Sequence, residues 1–369
     1  MARQDSDFQQ TLSSIDRGIQ GLNRGLDMGL DKLMTVIPGV QQKTYYLIGA
    51  ESGVGKSAFS LNSFLFNPYS LLKANNPEGL SMKVFYYSLE IDKISIISKA
   101  IARKLFFRHG YLTTVDDILS RGRHRISEEV YKDVKDTRNF FEDMEDVLTI
   151  YPPTNSTGIY KDVKTYMESV GTTHKKTVNN GKEDIEIFDY YEPNNPKEYV
   201  IVIVDHISIL PKQLNYNVKE NIDSMSTYFV GLRNRYNIIP VVIQQLNRAM
   251  SSADRFKLKR TSPQLSDFKD SGNTVQDSNV VISLHSPFRI DQEEYNGYDI
   301  TKLRDRFRWV EVLKNRDGAS DIGVGCNFVG EVGLFRELPS KDILELSGYG
   351  PYVDFNKKTC LRDDNNVST

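Results

Sequence analysis

The stretch Gly49-Ala50-Glu51-Ser52-Gly53-Val54-Gly55-Lys56-Ser57 carries the residue types that hold a polyphosphate. Its glycines let backbone N–H groups close around phosphate oxygens, and a helix beginning there adds the positive end of its dipole. Lys56 then reaches the β and γ phosphates of a nucleoside triphosphate, and Ser57 ligates Mg²⁺. The usual spacing is G-x-x-x-x-G-K-[ST], and here Ala50 stands in its first position, one residue after Gly49. A glycine turn with an incidental lysine is the plain alternative. Context weighs against it, because the apolar run "TYYLI" precedes the stretch and the helical pattern "AFSLNSFLF" follows. Ala50, Glu51, Ser52, Gly53, Val54, Gly55, Lys56 and Ser57 are therefore expected to cradle ATP, or another NTP or dNTP, together with Mg²⁺.

Hydrolysis also needs a carboxylate to organise the metal and a group to activate water. Asp205 ends the most aliphatic run, "YVIVIVD", where it would join Ser57 in the Mg²⁺ shell. Glu90 closes "VFYYSLE", in position to orient or deprotonate the attacking water. Each carboxylate alone is more often a cap or a solvated loop residue. Gln245, ending "IPVVIQQ", is expected to contact the γ-phosphate; Gln244 competes for that role, and strand alternation lets only one of them face the site.

The elements that must position these groups alternate between β-branched runs and helical patterns, the signature of a parallel sheet with crossover helices. Strands are expected at 44–50, 83–90, 147–152, 199–205, 239–245 and 280–285, and helices at 92–108, 159–168 and 219–236. Thr114 and Asp117 have capping-box spacing. Residues 171–198 break the rhythm, and Asn180-Gly181 within them reads as a hairpin turn in a surface insertion. Beyond 308 the runs suggest an antiparallel finish, and 340–369 a poorly ordered tail. Near the start, Phe8, Leu12, Ile15, Ile19 and Leu22 form one apolar helical stripe, suited to an arm lying on its own core or on a neighbouring subunit.

Composition narrows the partners. Of 369 residues, 39% are hydrophobic and 26% charged, which allows a sizeable core. A net charge of -2 excludes a protein that grips nucleic acid over its whole surface, leaving room for a local basic loop. The two cysteines, Cys326 and Cys360, fit neither a disulfide framework nor a zinc ribbon. With no signal peptide and no run long enough to span a bilayer, a cytoplasmic location without membrane attachment is expected, in the host cytoplasm for a phage protein.

Taken together these residues resemble the DnaB-like replicative helicases of superfamily 4, closest in motif form to the helicase half of phage primase-helicases. The resemblance rests on "GLDMGLDKLMTVIPGVQQKTYYLIGAESGVGKSAFSLN", "YYSLE", "VIVDHISIL", "VVIQQLNR" with "LSDFKDSGNTVQDSNVVI", and "VLKNRDG", in the family's order from about residue 25 to 338. It implies an α/β fold: a RecA-like P-loop NTPase core, a mostly parallel central sheet with flanking helices, and an antiparallel C-terminal finish. The division expected is an N-terminal helical arm and linker at 1–35, a motor domain at 36–339 and a C-terminal tail at 340–369.

The resemblance further implies a homo-oligomer, a hexameric ring with ATP at subunit interfaces and single-stranded DNA through its centre, working with a separate primase and other replisome proteins, and a phage origin. Lys314 and Arg316 would act on the neighbouring subunit's nucleotide. Arg255, Lys257, Lys259, Arg260, Lys269, Asp270 and Gly272 would follow the DNA strand. The family's Arg-Glu-Ser-Gly reads here as Lys269-Asp270-Ser271-Gly272, which keeps charge and loses the arginine's planar fork. A RecA-like recombinase that forms filaments and a nucleotide-gated helicase-loader scaffold are the alternatives.

Overall fold

Aliphatic and aromatic runs with little polar alternation suit strands covered on both faces, and here they build one nine-stranded sheet. The computed structural model describes residues 7–20, 23–121, 124–179, 181–246, 255, 261–268, 272–355 and 361–363. The first half of the chain gives helix α1 (Asp7–Ile19), strand β1 (Tyr46–Ala50), α2 (Lys56–Leu61), α3 (Asn67–Ala74), β2 (Ser81–Ser88), α4 (Lys93–His109), α5 (Val115–Ile118), β3 (His124–Ile126), α6 (Glu128–Lys135), α7 (Arg138–Val147) and β4 (Leu148–Tyr151). There follow α8 (Ser156–Ser169), β5 (Gly171–Asn179), β6 (Asp184–Pro193), β7 (Glu198–Asp205), α9 (Val218–Tyr236), β8 (Ile239–Gln245), α10 (Gly272–Asp277) and β9 (Val280–His285). The two-residue strands β10 (Glu294–Tyr295) and β11 (Tyr298–Asp299) lead to β12 (Phe307–Asn315), β13 (Ile322–Val329), β14 (Leu334–Glu337) and β15 (Leu361–Asp363).

The six strands expected from composition all form, as do the three helices and the Thr114 capping box. Across the sheet the order is β14-β13-β12-β9-β1-β8-β7-β2-β4. Strands β9 through β4 run parallel, while β12, β13 and β14 supply the antiparallel finish. Alternation sends Tyr46, Ile48, Ala50, Val241 and Ile243 to the face that packs with Phe59 of α2. Leu47, Val242 and Val281 pack on the other face with Met225 and Phe229 of α9.

The 171–198 insertion is a hairpin of β5 and β6, joined by a turn that contains Gly181, and it pairs outside the main sheet. Tyr191 and Phe188 fix it to Tyr236 of α9. The arm α1 does not lie on its own core: Phe8, Leu12, Ile15 and Ile19 are all exposed. Leu22 lies outside the described residues. The expectation of a poorly ordered tail needs correction for 341–353. Lys341–Ser347 and Gly350–Val353 are short helices, and Leu344 is fully buried. Tyr349, Tyr352 and Val353 pack beside it on Tyr298, Phe307 and Leu338. These anchors are spaced among glycine and proline, so no regular apolar period announces them.

Candidate nucleotide-hydrolysis site

The phosphate loop leaves β1, the central strand of the nine, at Ala50 and enters α2 at Lys56. Ligands of open α/β sheets bind at this carboxyl end of the strands. Gly55 caps the helix with φ 111°, a left-handed value that a side chain would strain. A Cβ there would also press within 3.0 Å of the Phe328 ring. Lys56 is largely buried, and its Nζ donates to the Glu51 carbonyl at 3.1 Å. Burial pushes its pKa down, opposed by the charges of Asp205, Glu90 and Glu51. The sequence-predicted lysine and both carboxylates are thus brought together.

Asp205 ends β7 and is 2% exposed. Burial raises its pKa, and the Ser57 and Tyr86 hydroxyls and the His206 charge oppose that rise. Tyr86 donates to Oδ2 at 2.6 Å, while buried Oδ1 accepts no hydrogen bond from the described residues. An orphaned carboxylate oxygen beside the Ser57 hydroxyl fits a hard cation. Among the described residues no three or more His, Cys, Asp or Glu side chains are placed to hold a metal ion together, so the remaining ligands of such a cation would be phosphate and water oxygens.

Glu90 lies two residues beyond the end of β2 rather than at its last position, with a 63% exposed side chain 3.9 Å from His206 Nε2. It is free to meet a water over the loop. Gln245 pairs with Ala50 and shares the face of Val241 and Ile243, on which α2 packs; Gln244 points to the opposite face and accepts from the Thr274 hydroxyl at 2.9 Å. The alternation therefore assigns the loop-facing position to Gln245.

Three cations near this end carry no sequence signal. Arg308, fully buried on β12, donates Nε to the Val54 carbonyl at 2.8 Å and stacks on Phe328. Arg289 donates Nη1 to the Ser52 carbonyl at 2.8 Å. Lys99 of α4 has its pKa lowered by burial, with Asp205 opposing. Only the fold shows that the antiparallel finish returns to brace the phosphate loop. A cavity of about 700 Å³, lined in part by Arg304, Arg306 and Glu331, shares the Phe328 ring with Gly55.

Lys314 and Arg316 lie at the other end of the sheet. Asn315 pairs with Val280, and Val280 with Tyr46, so Arg316 sits about 15 Å or more from its own phosphate loop at strand rise. Lys314 Nζ donates to the carbonyls of Val275, Gln276 and Ser278 at 2.6, 3.1 and 2.8 Å. Exposed Arg316 donates to the Gln276 carbonyl. Of the residues expected to follow the strand, Arg255 is turned inward: its Nη1 donates to both oxygens of buried Asp267, at 2.8 and 2.9 Å, and its Nη2 to the Ser262 carbonyl, so that guanidinium is committed to the protein's own groups. Nothing local announces this pair, because Asp267 lies twelve residues away. Gly272 opens α10, whereas Lys257, Lys259, Arg260, Lys269 and Asp270 lie outside the described residues.

Residues 189–337 match the family model for the DnaB-like helicase C terminal domain. This segment, about two fifths of the chain, is similar to that domain. A solved ATPase domain superposes with a TM-score of 0.65 at 19% identity, covering 91% of this chain and all of that one. A DnaB-like replicative helicase, solved in a study of its interactions with primase, gives the same TM-score and identity over 91% of this chain and 68% of that one. Replicative DNA helicase DnaB of Mycoplasma pneumoniae is 22% identical over 317 residues, 85% of this chain and 57% of that protein. A probable replicative DNA helicase of Trieres chinensis is 20% identical over 76% of this chain and 51% of its own length. The chain thus spans little more than half the length of these curated relatives. The RecA-like, mostly parallel architecture expected from the motifs is the one found. The family match takes in Asp205, Gln245, Lys314 and Arg316 and stops short of the phosphate loop, whose assignment stands on its geometry.

Proposed function

We propose that residues 36–339 are the motor of a ring-forming replicative DNA helicase that hydrolyses ATP at subunit interfaces to move along single-stranded DNA and unwind duplex. The observation that carries this is the division of one hydrolytic apparatus between two ends of a sheet. Phosphate loop, Asp205 and Glu90 meet at one end, and exposed Arg316 stands at the other, beyond reach of them within its own chain. A guanidinium placed so can stabilise transition-state charge only in a neighbouring subunit.

Within the site, Lys56 leaves the Glu51 carbonyl to meet the β and γ phosphates, and the loop N–H groups hold the remaining oxygens. Ser57 and Asp205 would hold Mg²⁺, which neutralises charge on the phosphates when bound. Glu90 orients the attacking water and takes its proton. Gln245 contacts the γ-phosphate from the strand beside the loop. The cavity next to Phe328 receives the base and ribose. Phage-type motif forms favour a phage replisome, with hexameric assembly and a separate primase as partners.

The test is unwinding of a forked duplex, with and without a 5′ tail, beside ATP turnover with and without single-stranded DNA, and electron microscopy of the particles. Tail-dependent unwinding by closed rings is expected. Filaments without unwinding would instead favour a recombinase, and turnover indifferent to single-stranded DNA a loader scaffold.

A further inference from the structure

Gln244 and Gln245 are neighbours on one strand that face opposite sides of the sheet, and Gln244 does something the hydrolytic site does not explain. Its row across the sheet reads Gln244, Gly49, Ser283 and Glu311, in register from β8 to β12. Gly49 leaves room for the Phe268 ring, which a Cβ there would meet at 2.2 Å. In this buried row Gln244 Nε2, Ser283 Oγ and Glu311 Oε2 find no hydrogen-bond partner among the described residues. Unmatched buried polar groups are costly, and aliphatic side chains would make the sheet more stable. What the row does provide is the bond from the Thr274 hydroxyl to Gln244 Oε1, which ties β8 to α10.

The far end of α10 is tied as firmly. Lys314 donates to three carbonyls at that end and Arg316 to one of them, while Ser226 and Arg233 of α9 hold Asp277 by its side chain and carbonyl. Helix α10 is therefore a six-residue strut between the strand that ends beside the phosphate loop and the two cations, Lys314 and exposed Arg316, at the sheet's other end. Its first residue, Gly272, follows directly on the segment expected to hold DNA.

We propose that Gln244 is a positioning residue that, through Thr274 and α10, couples the strand bearing Gln245 to the placement of Lys314 and Arg316, so that DNA held ahead of Gly272 sets how well the finger reaches its neighbour's nucleotide. This rests on the helicase function proposed above. Thr274→Val in the full chain removes the donor at nearly constant shape. ATP turnover is read with and without oligothymidylate, with nucleotide binding and thermal midpoint measured alongside. DNA-free turnover and nucleotide binding should stay within about twofold of the parent chain, while the stimulation by oligothymidylate falls about tenfold. Thr274→Ser should restore it. Gln244→Met, which removes the acceptor from the strand side, should reproduce the loss and add nothing in the double variant. Parental stimulation in Thr274→Val, or a loss that Thr274→Ser does not repair, overturns the coupling even if the thermal midpoint moves. A parent chain without any stimulation instead overturns the helicase function and this coupling with it.

Discussion

The two ends of the parallel strands are built on opposite plans. At the carboxyl ends, most of the charge is buried: Lys56 and Asp205 lie inside, with exposed Glu90 above them, and Arg308 spends its guanidinium on the Val54 carbonyl and on Asp305. At the amino ends, Lys314 and Arg316 rest on the carbonyls of a short helix, and Arg316 is open to solvent. One end is a site complete but for its ligands and one cation, and the other is a cation presented outward without a site. A single chain that separates these two by the length of a strand cannot bring them together by flexing a side chain, so under the proposed function assembly is part of the chemistry.

The sharpest way to break this comparison is Lys56→Ala, which should abolish turnover while the chain stays folded, as measured by ATPase rate and circular dichroism. Arg316→Ala should cost about 10³–10⁵ in turnover, the range of fingers supplied in trans. Mixing the two inactive variants then separates the ends: interfaces joining an intact loop to an intact finger should recover part of the rate, and mixed rings verified by mass that stay inactive would place the finger in its own subunit. Glu90→Gln should keep nucleotide affinity and slow turnover by orders of magnitude, and a loss of affinity at normal rate would move the base elsewhere. Arg308→Met takes the donor from the Val54 carbonyl, and a KM for ATP raised about tenfold, or about 1.4 kcal/mol, with kcat little changed would sharpen the bracing role of the antiparallel strands.

The remaining effect is on stability rather than turnover and concerns pH. Burial lowers the His285 pKa to about 4 from 6.5, so the unfolded chain takes a proton first as pH falls. Stability present above pH 6.5 should therefore decline toward pH 4, by about 3 kcal/mol at 1.36 kcal/mol per unit. Asp205, raised by burial, pulls the other way. The difference in chemical-denaturation stability between the parent chain and His285→Gln isolates the histidine; a constant difference across that window would refute its burial as a neutral ring.

How much of this was legible follows from the range of the forces. Strands and the phosphate loop are written locally, in runs such as "YVIVIVD" and in the gaps between Gly53, Gly55 and Lys56; alternation says that only one of Gln244 and Gln245 shares the loop's face, and the fold is needed to say that it is Gln245. Arg308 and Val54 are 254 residues apart, and no local pattern encodes a bond at that distance. The same holds for Lys314, whose partners on α10 were invisible until β12 was laid against β9. Arg255 looked like one more cation in "RFKLKR"; a fold-made carboxylate partner, Asp267, separates it from that run.

The β5–β6 hairpin has a practical use. It leaves and rejoins the chain at the amino end of β7, opposite Asp205, and pairs with none of the nine strands. Its fixed part is the base, where Tyr191 is held by Tyr236 and by the Met167 carbonyl. Its tip, around Gly181 and Lys182, is exposed, and a Cβ at Gly181 would meet nothing within 4 Å. Loop tips of this kind tolerate insertion. A dye or tether attached there would report the attitude of the chain without touching the proposed site, which makes this hairpin the natural handle for testing the proposed ring on single particles.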